Sequence, residues 1–252
     1  MTYETILSVL GDDGVRTITL NRPKALNAMN GQLVREVTLA FDHANQDIAT
    51  KAIIFTGSGR AFCAGDDLVE HSHPGSESEA RAAIDAIQRA TRAISLGDKV
   101  VVGAINGWAV GGGFEWAINC DFPIWAESAK AFFPELYWGM FVTGGVTALL
   151  PALVGLNQAR ELLFLGERQS ADALHEMGLA WRIAPDDKLL DEAHLVAAKI
   201  AALPQGAVCD MKRTLARTAC TDIEAAIKLE TEATMRGFLD PETIERIKEF
   251  GS

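Results

Sequence analysis

A glutamate follows three successive glycines near the centre of the chain. The glycines are residues 111–113, and Glu115 is the second residue after the last of them. An apolar run at residues 100–105 precedes the glycines. We expect the run to be a buried strand and the glycines to open a short helix. The first N–H groups of a helix have no intrahelical partner and carry partial positive charge, so they can stabilise a negative oxygen while a nearby carboxylate moves protons. The alternative is a tight strand-to-helix turn with a surface glutamate.

A second glycine-bearing turn also follows a predicted strand. Residues 51–56 have the pattern of a strand, and residues 57–68 read G-S-G-R-A-F-C-A-G-D-D-L. Two strand ends can therefore present backbone amides to one place. Ser58 lies in G-S-G and not in a G-x-S-x-G elbow, which argues against a serine hydrolase.

The histidines and cysteines have no spacing typical of a metal site. His71 and His73 lie near acidic residues, so a metal site and a solvated polar loop are the two interpretations. Their spacing matches no known template, which favours the solvated loop and predicts no bound metal. The four cysteines, at positions 63, 120, 209 and 220, stand in apolar surroundings without CxxC spacing. This is typical of reduced thiols that pack in a core.

Composition limits the class of protein. The chain has 252 residues, of which 48% are hydrophobic and 23% charged, which is typical of a soluble globular protein with a sizeable core. No run of eighteen apolar residues and no secretory pattern at the start are present, so we expect a cytoplasmic protein without a membrane partner. The net charge of -11 argues against nucleic acid as a partner but leaves room for one small anionic ligand.

The remaining pattern predicts an α/β core followed by helices alone. A hairpin is predicted from residues 5–10 and 15–20, and Asn30 is a candidate cap for a helix that ends near residue 46. Ser170 is a candidate cap for a short helix, with a last strand at residues 179–183. The other predicted elements are a helix at 80–96, strands at 121–126 and 129–133, helical patterns broken by glycines between 146 and 165, and helices at 187–203, 206–219, 222–238 and 241–250. The sequence therefore predicts a core at residues 1–185 and a helical region at residues 186–252.

Six segments together resemble those of the enoyl-CoA hydratase/isomerase family, also called the crotonase superfamily, and most of all its enoyl-CoA hydratases. Their order and spacing also match, and they extend over nearly the whole chain. The segments are N-R-P-K-A-L-N-A-M (21–29), R-A-F-C-A-G-D-D-L (60–68), A-I-N-G-W-A-V-G-G-G-F-E (104–115), C-D (120–121), F-P-E-L-Y-W-G (133–139) and S-A-D-A-L-H-E-M-G-L (170–179).

The resemblance implies a spiral of ββα turns that carries the acyl-CoA site, and C-terminal helices that assemble trimers or hexamers. The family's oxyanion hole consists of two backbone amides, which map onto Asp66 and Gly112. No separate cofactor is implied, because coenzyme A is part of the substrate thioester. The predicted neighbours of the CoA moiety are Lys24, Ala25, Leu26, Ala64, Asp66 and Leu68. Arg22, Lys24 and Arg60 are candidate neighbours of its phosphates.

Two glutamates distinguish activities within the family. In the hydratases, one glutamate activates a water for attack at Cβ and the other gives a proton to Cα; these positions map onto Glu115 and Glu135. Because both are glutamate here, the resemblance implies addition of water to a 2-enoyl-CoA through a stabilised enolate. The alternative is that one of them is a structural, salt-bridged carboxylate. If both are buried around one water, repulsion keeps a proton shared between them near neutral pH.

The sequence departs from the family pattern in three places. Asp66 puts a carboxylate where a small residue is common; either its side chain points away from the hole or it disfavours anionic acyl groups. Residues 140–151 read M-F-V-T-G-G-V-T-A-L-L-P, where the family's short-chain hydratases tend to have a Pro-Gly pair. Tyr137, Trp138, Met140 and Phe141, at or just before the start of this segment, indicate either an aromatic-lined acyl site or ordinary core. The chain also stops soon after residue 250, without the longer basic tail of many relatives.

Other activities stay open at this stage. Within the family they are an enoyl-CoA isomerase and a hydratase-lyase that acts on an aromatic acyl-CoA. A different class is an acyl-CoA binder without catalysis or an RNA-binding relative, although the acidic composition argues against RNA.

Overall fold

The computed structural model describes residues 2–69, 76–218, 223–241 and 243–245 of the chain. Within these described residues, ten strands form two sheets. The six strands of the first sheet are β1 (Ile6–Leu10), β2 (Val15–Leu20), β3 (Ala52–Gly57), β5 (Val100–Ile105), β7 (Phe122–Ala126) and β10 (Arg182–Ala184). The four strands of the second sheet are β4 (Ala61–Cys63), β6 (Trp108–Val110), β8 (Lys130–Phe132) and β9 (Gln169–Ser170).

The connection between the two sheets repeats three times. The first sheet has the order β1-β2-β3-β5-β7-β10, and the second has the order β4-β6-β8-β9. Strands β1 and β2 form the predicted antiparallel hairpin, while β3, β5 and β7 run parallel. Each of these three continues within a few residues into a short parallel strand of the second sheet, namely β4, β6 or β8. Since parallel strands end at the same edge, the segments that follow these short strands come together.

Eight helices surround the sheets within the described part of the chain. They are α1 (Gly31–Gln46), α2 (Glu77–Ser95), α3 (Gly112–Ile118), α4 (Val146–Leu165), α5 (Ala171–Glu176), α6 (Leu189–Ala201), α7 (Gln205–Thr218) and α8 (Ile223–Leu239). The predicted caps are confirmed, because the Asn30 side chain accepts a hydrogen bond from the Leu33 amide and Ser170 accepts one from Ala173. Strands β4, β6 and β9 were not predicted, and β10 begins three residues later than expected.

The C-terminal helices contact the sheet core directly. Apolar residues of α6, such as Ala193 and Ala197, are fully buried in the same core as β3 and β5. Helix α8 packs against α2, where the Gln88 side chain donates to the Ile227 carbonyl at 3.1 Å. The division at residue 185 stays a prediction. His71, His73, Cys220 and most of the helix predicted at 241–250 lie outside the described residues.

Helix α4 has an apolar surface that the described part of the chain leaves exposed. Leu153, Leu156, Phe164 and Leu165 are between 45% and 71% exposed. By length and composition alone the helix could cross a membrane, and only 17% of its most apolar stretch is buried. It also changes direction at Gly155, whose φ of 77° is not helical. This exposed apolar surface is of the kind that contacts another protein surface.

Candidate active site

The four predicted catalytic positions line one cavity. Asp66 follows β4, Gly112 and Glu115 follow β6, and Glu135 follows β8. All four border a cavity of about 830 Å³ at the ends of the three short strands. The architecture therefore brings together side chains that are up to 69 residues apart in sequence, as the arrangement of the parallel strands requires.

The two predicted oxyanion-hole segments lie against each other. The Met29 amide donates to the Gly65 carbonyl at 2.7 Å, and the Asp67 amide donates to the Met29 carbonyl at 3.3 Å. Asp66 and Met29 therefore form a parallel β-bridge. In such a bridge the N–H of Asp66 points away from Met29. A Cβ built on Gly65 would lie 3.7 Å from the Gly112 nitrogen. Gly112 is the first residue of α3, where an N–H has no intrahelical acceptor.

Glu115 is buried and held by one residue of the next segment. Its side chain lies on the first turn of α3 and the residue is only 2% exposed. The Thr143 amide donates to both carboxylate oxygens, at 3.1 and 3.3 Å, and the Thr143 hydroxyl donates to Oε2 at 3.1 Å. The Asn119 side chain donates to the Glu115 carbonyl and the Gly144 carbonyl, which fixes the same segment against α3. The carboxylate is therefore oriented, and none of these contacts is a salt bridge.

Glu135 approaches the start of the same helix from the other side. It begins a 3-10 turn (Glu135–Trp138) after Pro134, and it is 8% exposed. Gly111, the N-cap of α3, has φ 51°, and a Cβ there would lie 2.6 Å from Glu135 Oε1. A side chain at position 111 would thus both strain the backbone and displace the glutamate. Glu135 Oε2 is buried and accepts no hydrogen bond from the described residues, so it has capacity to bind a water or substrate atom.

The pKa values of both glutamates are raised, for reasons that the geometry explains. Burial is the main cause for Glu115, and the negative charges of Glu135 and Glu230 raise its pKa further, against the opposing effect of the Thr143 hydrogen bonds. Burial raises the pKa of Glu135 to about 7; its own backbone N–H opposes this rise, and the Asp66 carboxylate adds to it. A carboxylate pair of this kind holds a proton near neutral pH.

Three of the six predicted CoA neighbours line the cavity, and the other three lie in the adjacent loop. Ala64, Asp66 and Leu68 line the cavity, and the Ala64 amide donates to the Leu26 carbonyl at 3.1 Å, which places Lys24, Ala25 and Leu26 beside it. Leu26 itself adopts a left-handed conformation with φ 53° at the end of a 3-10 turn (Pro23–Ala25). Lys24 is exposed.

Arg22, a candidate neighbour of the CoA phosphates, forms an ion pair between two loops beside the cavity. Its Nη1 lies 2.7 Å from Asp67 Oδ2 and also donates to the Ala28 carbonyl. Both side chains are largely buried, at 14% and 8% exposure. This ion pair joins the loop that carries Lys24 to Leu26 with the loop that carries Asp66.

Aromatic side chains line the rest of the cavity. Tyr137, Trp138, Met140 and Phe141, which were predicted from the sequence as candidates for an acyl site, all border the cavity. Further aromatic rings that were not predicted border it as well. The aromatic residues of the lining are Phe132, Phe133, Tyr137, Trp138, Phe141, Phe164 and Phe238. Thr143 and Glu230 also hold groups of the site in place, and neither was predicted from the sequence. Thr143 stands in a segment already noted as a departure from the family, whereas nothing in the sequence pattern marks Glu230.

Comparisons with known proteins agree with this geometry. The family model described as enoyl-CoA hydratase/isomerase matches residues 11–245. The chain is 36% identical over 234 residues to a crotonyl-CoA hydratase of Syntrophomonas wolfei, covering 92% of this chain and 89% of that protein. It is 30% identical over 232 residues to a 1,2-epoxyphenylacetyl-CoA isomerase of Escherichia coli, covering 91% and 88%.

A solved structure extends the agreement to the fold. The crystal structure of an enoyl-CoA hydratase/isomerase from Mycobacterium paratuberculosis superposes with a TM-score of 0.90 at 29% identity, covering 99% of this chain and 100% of that one. The match includes the spiral core and the C-terminal helices. Sequence, fold and site geometry therefore lead to one conclusion: the chain belongs to the enoyl-CoA hydratase/isomerase family.

Proposed function

We propose that this protein is an enoyl-CoA hydratase, which adds water across the 2,3 double bond of a 2-enoyl-CoA thioester. The observation that carries the proposal is the pair Glu115 and Glu135, two buried carboxylates with raised pKa values that border the same cavity. A relative with 36% identity is named a crotonyl-CoA hydratase, which supports this choice of substrate class.

The reaction begins with the thioester oxygen between two main-chain amides. The N–H groups of Asp66 and Gly112 donate to this oxygen, which gains negative charge as the reaction proceeds. Donors that are already in position stabilise such charge without reorganisation, and loss of one donor costs about 2.7–4 kcal/mol in comparable sites. The same segments border the cavity next to Ala64 and Leu68, where the CoA moiety binds in this proposal.

The two glutamates then divide the proton transfers. The ionised glutamate takes a proton from water as the water oxygen bonds to Cβ, and the π electrons of the double bond move onto the thioester oxygen to give an enolate. The protonated glutamate delivers its proton to Cα as the enolate collapses. One proton enters and one leaves, so the pair returns to a state with a single shared proton. This requires one protonated member near neutral pH, in agreement with the direction of both pKa shifts.

Double-bond isomerisation is the second candidate. The description of the matching family includes isomerases. A relative named 1,2-epoxyphenylacetyl-CoA isomerase, whose name gives an epoxide and not a double bond, is 30% identical, and the aromatic side chains of the cavity would likewise suit a ring-bearing acyl group. A hydratase-lyase that acts on an aromatic acyl-CoA has the same requirements. The oxyanion hole serves all three reactions, so it does not choose among them.

A turnover screen separates these activities. The purified protein is assayed with crotonyl-CoA, a 3-enoyl-CoA and a cinnamoyl-type CoA ester in water enriched in oxygen-18. The proposal predicts incorporation of oxygen-18 at C3 of the crotonyl product at a rate well above that of 3-enoyl isomerisation. Rapid conversion of the 3-enoyl ester without incorporation of label would favour the isomerase, and binding of esters without turnover would favour a non-catalytic acyl-CoA binder. An RNA-binding role would require a salt-dependent affinity for RNA, which a titration of added salt measures.

We further propose that the protein assembles as a homotrimer or a homohexamer in the cytoplasm. The exposed apolar side chains of α4 support an assembly through that helix, because a surface of this kind is costly to leave in water. No membrane and no nucleic acid are partners in this proposal.

A further inference from the structure

Glu230 is a buried carboxylate that the proposed reaction does not use. It lies on α8 and is fully buried, with 0% exposure. Its Oε2 accepts a hydrogen bond from the Gly145 amide at 2.7 Å, and its Oε1 accepts hydrogen bonds from the Thr147 amide at 2.9 Å and from the Thr147 hydroxyl at 2.7 Å. Three donors thus converge on one side chain. Burial raises the pKa of Glu230, and these three hydrogen bonds oppose that rise because they favour the ionised carboxylate.

These contacts provide helix α4 with its N-terminal cap. Gly145 is the N-cap residue of α4 and has no side chain with which to cap it. The carboxylate that fills this role comes from a residue 85 positions later in the chain. A negative charge at a helix N-terminus also interacts favourably with the helix dipole. Glu230 therefore fixes where α4 begins.

The segment immediately before α4 is the one that holds Glu115. Thr143 donates its amide and its hydroxyl to the Glu115 carboxylate, and Gly144 accepts from Asn119 beside it. Only one residue, Gly144, separates Thr143, which binds Glu115, from Gly145, which binds Glu230. The Thr234 hydroxyl on α8 also contacts the Phe141 carbonyl, at 3.4 Å. Residues 141–147 are thus fixed between a site glutamate on α3 and a helix of the C-terminal region.

We infer that Glu230 is a positioning residue, which fixes residues 143–147 so that Thr143 orients the Glu115 carboxylate for proton transfer. The inference rests on the proposed function for its kinetic readout, but the orientation itself can be measured without turnover. Glu230 is not itself among the residues that line the cavity. Its negative charge also raises the pKa of Glu115, so the test has to separate this electrostatic effect from the positioning of the segment.

Two variants and one matched control test the inference. Glu230→Gln keeps the shape of the side chain but places an NH₂ group, which cannot accept a hydrogen bond, against one of the donors. Thr147→Val removes the hydroxyl that donates to Glu230 and keeps the size of the side chain. Thr231→Val is the control, because Thr231 is a buried hydroxyl on the same helix that contacts Gln88 and Ile227 instead of the segment. Amide hydrogen exchange of residues 140–147, measured by mass spectrometry, reports the segment directly, and the carbon-13 shift of the Glu115 carboxyl reports its titration.

The expected result is at least a tenfold faster exchange of the segment in Glu230→Gln, a smaller increase in Thr147→Val and no change in Thr231→Val. The kcat of Glu230→Gln should fall about tenfold or more with KM changed less than twofold, since a small displacement of a catalytic group acts on the transition state. The pKa of Glu115 should fall in Glu230→Gln through loss of the Glu230 charge alone, so the positioning role is decided by the exchange of the segment and by kcat in Thr147→Val, which keeps that charge.

Unchanged exchange of the segment in Glu230→Gln would overturn the inference, and so would a loss of kcat that Thr231→Val reproduces at equal thermal stability. If the parent protein hydrates no enoyl-CoA, the proposed function fails, while the exchange measurement still decides the role of Glu230.

Discussion

The rings of Phe114 and Phe133 lie 4.6 Å apart with their planes inclined by 30°. Phe114 is the residue before Glu115, and Phe133 comes two residues before Glu135, so this contact joins the two segments that carry the site glutamates. Both rings are almost completely buried. The separation of the carboxylates thus depends on the packing of this aromatic pair as well as on the two sheets.

Replacement of Phe133 should therefore affect catalysis more than stability alone explains. Phe133→Leu is expected to lower the free energy of unfolding by roughly 1 kcal/mol and to lower kcat by about tenfold. The control is Phe41→Leu, since Phe41 is fully buried and packs edge-on against Phe55 at 5.1 Å, away from the cavity. Urea unfolding and steady-state kinetics measure the two effects. Equal kcat values in the two variants at similar stability would contradict the proposed coupling.

Asp66 should influence both the pH profile and the choice of acyl group. Its negative charge contributes to the raised pKa of Glu135, so Asp66→Asn should lower that pKa and move the corresponding limb of the kcat/KM profile to lower pH. Acyl-CoA esters with a terminal carboxylate should gain about threefold or more relative to crotonyl-CoA, because a like charge is removed from the cavity. Asp172→Asn on the exposed face of α5 is the control. An unmoved profile with unchanged selectivity would show that the Asp66 carboxylate does not act on the bound acyl group.

The stability of the protein should fall as Glu135 loses its proton. The pKa of this group is about 7 in the folded protein, compared with an ordinary value of 4.5. The folded state binds this proton more tightly than the unfolded state does. The resulting contribution to the free energy of unfolding is fully present below about pH 4.5 and is lost as the pH rises through about 7. This contribution is on the order of 3 kcal/mol.

Urea unfolding at pH 5 and pH 7, at one fixed protein concentration, measures this loss. Glu135→Gln does not titrate, so its stability relative to the parent protein should rise between the two pH values. Glu161→Gln, an exposed position on α4, should follow the parent protein. If the free energy of unfolding falls no more in the parent protein than in Glu135→Gln between pH 5 and pH 7, the raised pKa of Glu135 is contradicted.

The proposed assembly through α4 predicts a selective effect of charge on that helix. Leu156 is 53% exposed on α4 and Leu39 is 52% exposed on α1, so the two form a matched pair. Light scattering should give three or six protomer masses for the parent protein. Leu156→Glu should dissociate the assembly because it would bury an unpaired charge at the interface, whereas Leu39→Glu should leave the mass unchanged. A monomeric parent protein would contradict the proposal.

Local sequence signals predicted those elements that local interactions determine. The hairpin of β1 and β2, the Asn30 cap and the strand before Gly111 follow from turn chemistry, capping and apolar runs, and the structure contains each of them. Strands β4 and β6 have only three residues each, which is too short for a period of two to be visible. Their position follows from tertiary pairing with neighbouring strands and not from their own sequence.

The site residues that belong to family motifs could be predicted from the sequence. The contacts between residues far apart in the sequence could not. The family motifs identified Asp66, Gly112, Glu115 and Glu135, and the structure brings all four to one cavity. The Arg22 pair with Asp67 spans 45 residues, and the Glu230 contact with Gly145 spans 85. No periodic pattern encodes such contacts, because they depend on how whole elements pack.

The most direct test of the account is kcat/KM for hydration of crotonyl-CoA by Glu115→Gln and Glu135→Gln, with Glu161→Gln as the control. We predict that each site variant loses at least about 100-fold, that the double variant loses little more than either single variant, and that the control keeps the parent rate. Circular dichroism should confirm that all variants fold. Hydration at the parent rate by either folded site variant would contradict the claim that two carboxylates share the proton transfers of this site.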